Sequence, residues 1–265
     1  MGETSSDDTV LYDQQGPVAV LTFNRPDRLN AWTGELGRRY FDLLDQCAAD
    51  ESVGAIVVTG AGRGWCAGAD MDTLQGIQTG AAGGEPDRRP MTYATSIPKP
   101  VIAAINGACA GLGFVHAMMT DIRFAAAGAK FTTSFARRGL VAEHGVSWVL
   151  PRLVGPARAL DLLMSGRVVL ADEAAELGIV NKVFEPDQLL EESIAYANEL
   201  ATLSSPTSMA VMKRQVWGHL QADMDTALSQ SNDWMKASLR RDDFKEGVRS
   251  FLDRRDPKFA PYTGD

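Results

Sequence analysis

The stretch RRGLVAEHGVSW, residues 137–148, sets a carboxylate, Glu143, and an imidazole, His144, side by side between an apolar run and a glycine. A carboxylate held against a substrate can carry a proton to and from carbon. The same residue also reads as the first-turn acid of a helix over GVSWVLPRL, facing the positive end of its macrodipole. The residue alone leaves both readings open. Two glycine-rich segments, GAGRGWCAGAD at 60–70 and NGACAGLGFVHAM at 106–118, supply complementary chemistry. Each follows an apolar strand, sheds side-chain bulk and leads into a helix whose first amides lack partners. Two such turns aimed at one point would hold a developing oxyanion; two ordinary strand-to-helix turns would have the same composition. Neither has the spacing of a nucleotide-phosphate loop.

Other reactive side chains are sparse. Cys47, Cys66 and Cys109 form an odd set without CxxC spacing, and the three histidines are far apart, so no disulfide framework and no metal centre are expected. Cys66 and Cys109 read as small packing residues, and His116 as a hydrogen-bonded core histidine. A net charge of −8 argues against a reader of nucleic acid. The N-terminus, MGETSSDDTV, lacks the pattern of a signal peptide, and VIAAINGACAGLGFVHAM carries too many polar and glycine residues for a membrane span. A cytoplasmic protein without a membrane partner is expected.

The elements that must position these groups alternate in type. VAVLTFN (18–24), AIVVTG (55–60), VIAAI (101–105), DIRFAAA (121–127) and AKFTTS (129–134) read as strands. TGELGRRYFDLLDQCAAD (33–50) reads as a helix with Thr33 as N-cap, and DMDTLQ as another. The alternation predicts an α/β fold with parallel pairing. GIQTGAAGGEPDRRP (76–90) has the composition of a mobile linker. From Pro156 onward the pattern is helical, which gives a core over 1–204 and a helical region over 205–265.

The ordered set NRPDRLNA, GAGRGWCAGAD, NGACAGLG…MMTDIRFA and GLVAEHGVSWVLPRLVG resembles the enoyl-CoA hydratase/isomerase (crotonase) family, as do residues 164–183 and the C-terminal EGVRSFLDRRDPKF. The resemblance implies a crotonase-like spiral of ββα turns with a C-terminal helical trimerisation region, assembled as a homotrimer or dimer of trimers. It implies an acyl-CoA substrate, with coenzyme A part of that substrate and no separate cofactor. The amides of Ala69 and Leu112 would form the oxyanion hole. Arg28, Ala67, Asp70, Met71, Phe251 and Arg254 would contact coenzyme A.

One departure matters for the chemistry. The two glutamates of the family's hydratases fall on Val115 and Phe135, and neither side chain can carry a proton. Glu143 occupies the place where some isomerases of the family keep a single acid. The expectation is therefore single-base isomerisation of 3-enoyl-CoA to 2-enoyl-CoA, with atypical hydration or acyl-CoA binding without turnover as the alternatives. Chain length and acyl type are not legible.

Overall fold

The computed structural model describes residues 9–79 and 87–264. β1 (Val10–Gln15) and β2 (Val18–Phe23) form an antiparallel hairpin that leads into α1 (Gly34–Ala49). Three passes of one plan follow. β3 (Ala55–Gly60) and β4 (Gly64–Cys66) lead to α2 (Met71–Thr79), and β5 (Val101–Ile105) and β6 (Ala108–Ala110) lead to α3 (Leu112–Met118). β7 (Ile122–Ala126) and β8 (Lys130–Thr132) lead through a 3-10 turn at Ala136–Arg138 to α4 (Val146–Val154). The remaining elements are α5 (Pro156–Ser165), β9 (Val169–Leu170), α6 (Ala171–Glu176), β10 (Lys182–Phe184), α7 (Leu189–Leu203), α8 (Pro206–His219), α9 (Met224–Ser238) and α10 (Asp242–Asp253).

Each pass gives its first strand to a large sheet, ordered β1-β2-β3-β5-β7-β10, and its second to a small one, ordered β4-β6-β8-β9. The result is the mixed α/β spiral with a helical C-terminal region. Pairing is parallel as expected, apart from β1 with β2 and β8 with β9. β3 and β5 are buried along their whole length because both faces of the large sheet are covered. Ile56 and Val58 pack with Leu36, Tyr40 and Leu44 of α1, whereas Val57 and Ile102 pack with Leu189 and Ala197 of α7. Thr33 caps α1 as its sequence suggests, its hydroxyl accepting from the Leu36 amide at 3.2 Å.

The structure corrects three readings. The glycine segments are not bare turns, since each holds a three-residue strand, β4 or β6, too short to show alternation. AKFTTS contributes only Lys130–Thr132 to a strand. In the linker-like segment, residues 76–79 finish α2 and Arg89 is firmly anchored, while 80–86 lie outside the described residues. The N-terminal residues 1–8, read as lacking a signal peptide, also lie outside them. No described helix is long and apolar enough to cross a membrane.

Candidate active site

The small sheet brings the two glycine turns together. Gly113, in the first turn of α3, packs directly on β4: a Cβ there would stand 2.0 Å from the Cys66 carbonyl oxygen. Only glycine admits this approach. One layer on, Gly68 (φ +101°) lies against Ala110 and Gly111 (φ +49°), with a Cβ on Gly68 reaching 3.0 Å from the Ala110 oxygen. Ala69 and Leu112 directly follow these paired glycines. The Trp32 amide donates to Gly68 O at 2.7 Å, and the Asp70 amide to Trp32 O at 3.0 Å. In such a parallel bridge the central residue, Ala69, turns its own N–H to the other side. Leu112 is the first residue of α3, so its N–H has no intrahelical acceptor. Both residues line one cleft of about 560 Å³.

Glu143 and His144 line the same cleft. Glu143 is not in α4; Gly145 is the N-cap, and the Glu143 carbonyl accepts from the Val146 amide at 3.0 Å. Its carboxylate is 34% exposed, with Oε2 3.6 Å from His144 Nε2. His144 (φ +51°) and Gly145 (φ +82°) are consecutive left-handed residues, which turn the chain sharply into α4. Val115 is fully buried, and Phe135 is buried in the cleft wall.

Aromatic packing builds the opposite wall. Trp32 and Phe41 line the cleft, and behind Trp32 the His116 ring is stacked at a centroid distance of 3.8 Å. His116 sits one turn after Leu112, so its stacking on Trp32 ties the start of α3 to the segment before α1. Burial, and secondarily the charge of His144, lower its pKa to about 3, so the ring is neutral at ordinary pH. The expected hydrogen-bonded core histidine is corrected in one respect: Nε2 is buried without a partner. At the cleft rim Arg89 donates to Asp42, Asp45 and Asp87 at 2.6, 2.6 and 2.7 Å, with its guanidinium over the Phe41 ring. Hydrogen bonds from Arg89 lower the Asp87 pKa to about 2 despite some desolvation. This anchor was not foreseen: PDRRP falls in the segment read as a mobile linker, and Asp42 and Asp45 lie far away in sequence.

The residues expected to meet coenzyme A are placed unevenly. Ala67 and Met71 line the cleft, Met71 being 54% exposed. Arg28 stands on the surface beside Asp72 at 3.6 Å. The Asp70 side chain is buried and structural. It accepts from the Asp72 amide at 3.0 Å, capping the start of α2, and pairs with Arg25 at 2.9 Å. Burial alone would raise its pKa, but Arg25, the Asp72 amide and Arg28 outweigh this and hold it below the usual range. Phe251, 83% exposed on α10, borders a separate groove, and Arg254 is the C-cap of that helix. Neither is brought to the cleft within one chain. The three cysteines are buried and free, and no described group of side chains could hold a metal ion.

Comparison with known proteins places this architecture. The model of the enoyl-CoA hydratase/isomerase family matches residues 13–261. An Escherichia coli K12 protein named 1,2-epoxyphenylacetyl-CoA isomerase is 36% identical over 258 residues, covering 95% of this chain and 98% of that one. A Rhizobium meliloti protein named probable enoyl-CoA hydratase is 34% identical over 258 residues, with the same coverage of 95% and 98%. A crystal structure of an enoyl-CoA hydratase from Mycobacterium marinum has 50% identity and a TM-score of 0.71, covering 82% of this chain and all (100%) of that one. An enoyl-CoA hydratase from Mycobacterium tuberculosis superposes with a TM-score of 0.88 at 29% identity, covering 96% and 99%. With a family model matched from Asp13 to Pro261 and a 36%-identical relative covered over 98% of its length, the chain belongs to the enoyl-CoA hydratase/isomerase family.

Proposed function

We propose that the chain isomerises a 3-enoyl-CoA thioester to its 2-enoyl isomer, with Glu143 as the group that touches the reacting carbons. The observation that carries this reading is the shared cleft: Glu143, Ala69 and Leu112 line it together, whereas Val115 and Phe135 offer no proton carrier. The amides of Ala69 and Leu112 hold the thioester oxygen. Glu143 takes the C2 proton, and the electron pair of that C–H bond moves into a dienolate whose negative charge rests on the held oxygen. The carboxylic acid so formed returns a proton to C4, which re-forms the thioester carbonyl and leaves the double bond between C2 and C3. Each amide contributes about 3–4 kcal/mol to the enolate if protease oxyanion donors are a guide. The E. coli relative, named an isomerase of an epoxyphenylacetyl-CoA, supports isomerisation of a CoA thioester in general; relatives named as hydratases favour a second reading, in which Glu143 activates water.

In this reading the coenzyme A moiety runs past Ala67 and Met71 with Arg28 and Asp70 nearby, and no separate cofactor takes part. The chain acts as a homotrimer or dimer of trimers. Support comes from apolar side chains left exposed on α8 and α9, among them Met212, Val216, Met224, Leu228 and Met235. Phe251 and Arg254 would then reach coenzyme A from a neighbouring copy.

The test supplies 3-enoyl-CoA and 2-enoyl-CoA separately and follows the absorbance of the conjugated thioester. Glu143→Gln should lose roughly 10²–10⁴-fold in isomerisation while still binding acyl-CoA. Isomerisation that survives the substitution removes Glu143 from its role. Consumption of 2-enoyl-CoA without isomerisation of 3-enoyl-CoA establishes the hydratase instead.

A further inference from the structure

We infer that His144 shares the travelling proton with Glu143, so that the proton carrier of this site is a carboxylate–imidazole pair whose proton exchanges with water during turnover. The inference rests on the role proposed for Glu143. Among the described residues that line the cleft, the carboxyl and imidazole groups are those of Asp87, Glu143 and His144. Asp87 is occupied, with both its oxygens held by Arg89 at 3.0 and 2.7 Å. That leaves two adjacent groups on one short loop.

Neighbouring side chains normally diverge in an extended chain. Here the left-handed backbone of His144 folds the loop back, and the imidazole and carboxylate face the same cleft. Their separation, Nε2 to Oε2, is 3.6 Å. A shift of about 0.7 Å makes it a hydrogen bond. Both side chains have room for that shift, being 39% and 34% exposed. Left-handed non-glycine residues are uncommon, with Asn, Asp and His the types that adopt the conformation most readily, and such conformations cluster at functional sites. The other charged groups that line the cleft are Arg138, on the 3-10 turn, and the Arg89–Asp87 pair, and buried His116 lies behind Trp32.

The proton balance closes. The C2–H bond breaks and its proton passes to Glu143, while the electron pair enters the dienolate. The Glu143 acid then transfers the proton to His144 Nε2, giving carboxylate and imidazolium. The imidazolium exchanges its proton with solvent and returns one to Glu143. That proton forms the C4–H bond with the electron pair of the dienolate. No oxidant and no further reactant is needed.

The experiment turns over 3-hexenoyl-CoA in D₂O with the intact protein and measures, at low conversion, the deuterium gained per product molecule by mass spectrometry. The variants are His144→Asn, which keeps the left-handed turn, and His144→Gln, with melting temperatures recorded for both. Wild type should gain close to one deuterium per turnover, and His144→Asn at least threefold less, because Glu143 then returns the proton it took. Equal deuterium gain in wild type and His144→Asn, or negligible gain in wild type, overturns the inference while leaving Glu143 in place. Full turnover by Glu143→Gln, or no turnover by wild type, overturns the proposed function and this inference with it.

Discussion

Replacing Gly113 by alanine tests whether the two amides proposed to hold the thioester oxygen depend on the backbone contact beneath them. The new methyl carbon would stand 2.0 Å from the Cys66 oxygen and 2.8 Å from its carbonyl carbon, against an ordinary contact beginning at 3.4 Å. Both neighbours are backbone, so about 1.4 Å must come from separating α3 and β4. Leu112 rides on one side of that gap and Ala69, three residues past Cys66, on the other. A misplacement of about 1 Å at a reacting centre lowers rate roughly 10²-fold, and overpacking of this kind destabilises a core by about 1–3 kcal/mol. At saturating substrate and well below its melting temperature, Gly113→Ala should therefore turn over the 3-enoyl thioester roughly 10²-fold more slowly than wild type. Gly107→Ala is the control, because its methyl would stand 2.0 Å from the Arg63 oxygen at the far end of the same strands. It should show a similar loss of stability with much less loss of rate. Wild-type turnover by folded Gly113→Ala would refute the reasoning, and equal rate loss in both variants would reduce it to general disruption.

Two further outcomes follow from buried groups. His116 titrates at about 3 in the folded chain and near 6.5 unfolded, so the unfolded state binds the extra proton between these values. Stability is whole above pH 6.5 and falls on acidification, by about 2 kcal/mol between pH 7 and pH 5 from this residue. Urea midpoints of His116→Leu should fall less steeply over that interval than those of wild type; parallel profiles would contradict the assignment. Burial raises the thiols of Cys47 and Cys66 to about 12 and that of Cys109 well above its ordinary value. Thiol-reactive dye at pH 8 should thus label none of the three in native protein and all of them in denaturant, and rapid native labelling would count against the packing around β4 and β6.

What could be read in advance divides along a physical line. β3 and β5 were legible because a strand covered on both faces must be apolar throughout and stops at a polar or glycine residue. Thr33 was legible as a cap for equally local reasons. β4 and β6 were not, since GWC and ACA have neither length nor alternation; they are strands because neighbouring backbones approach them. In the site, Ala69, Leu112 and Glu143 were named from the family resemblance of their motifs, the residues alone leaving their roles open, and the cleft gathers all three. The Arg89 anchor and the His116 stack were hidden because their partners lie on α1 and before it, and only tertiary folding joins them. Phe251 and Arg254 were named from the tail motif, which says nothing about which copy of a chain they serve.

The contact of Gly113 with the Cys66 carbonyl has an evolutionary consequence. Because main chain meets main chain, repacking of side chains elsewhere cannot relieve the clash of a methyl group, and a substitution there must shift the backbone itself. Two residues on, Val115 meets its neighbours through its side chain in an apolar core, where an exchange is met by repacking of side chains. In a scaffold divided in this way the acids can change while the proposed grip on the thioester oxygen stays the same.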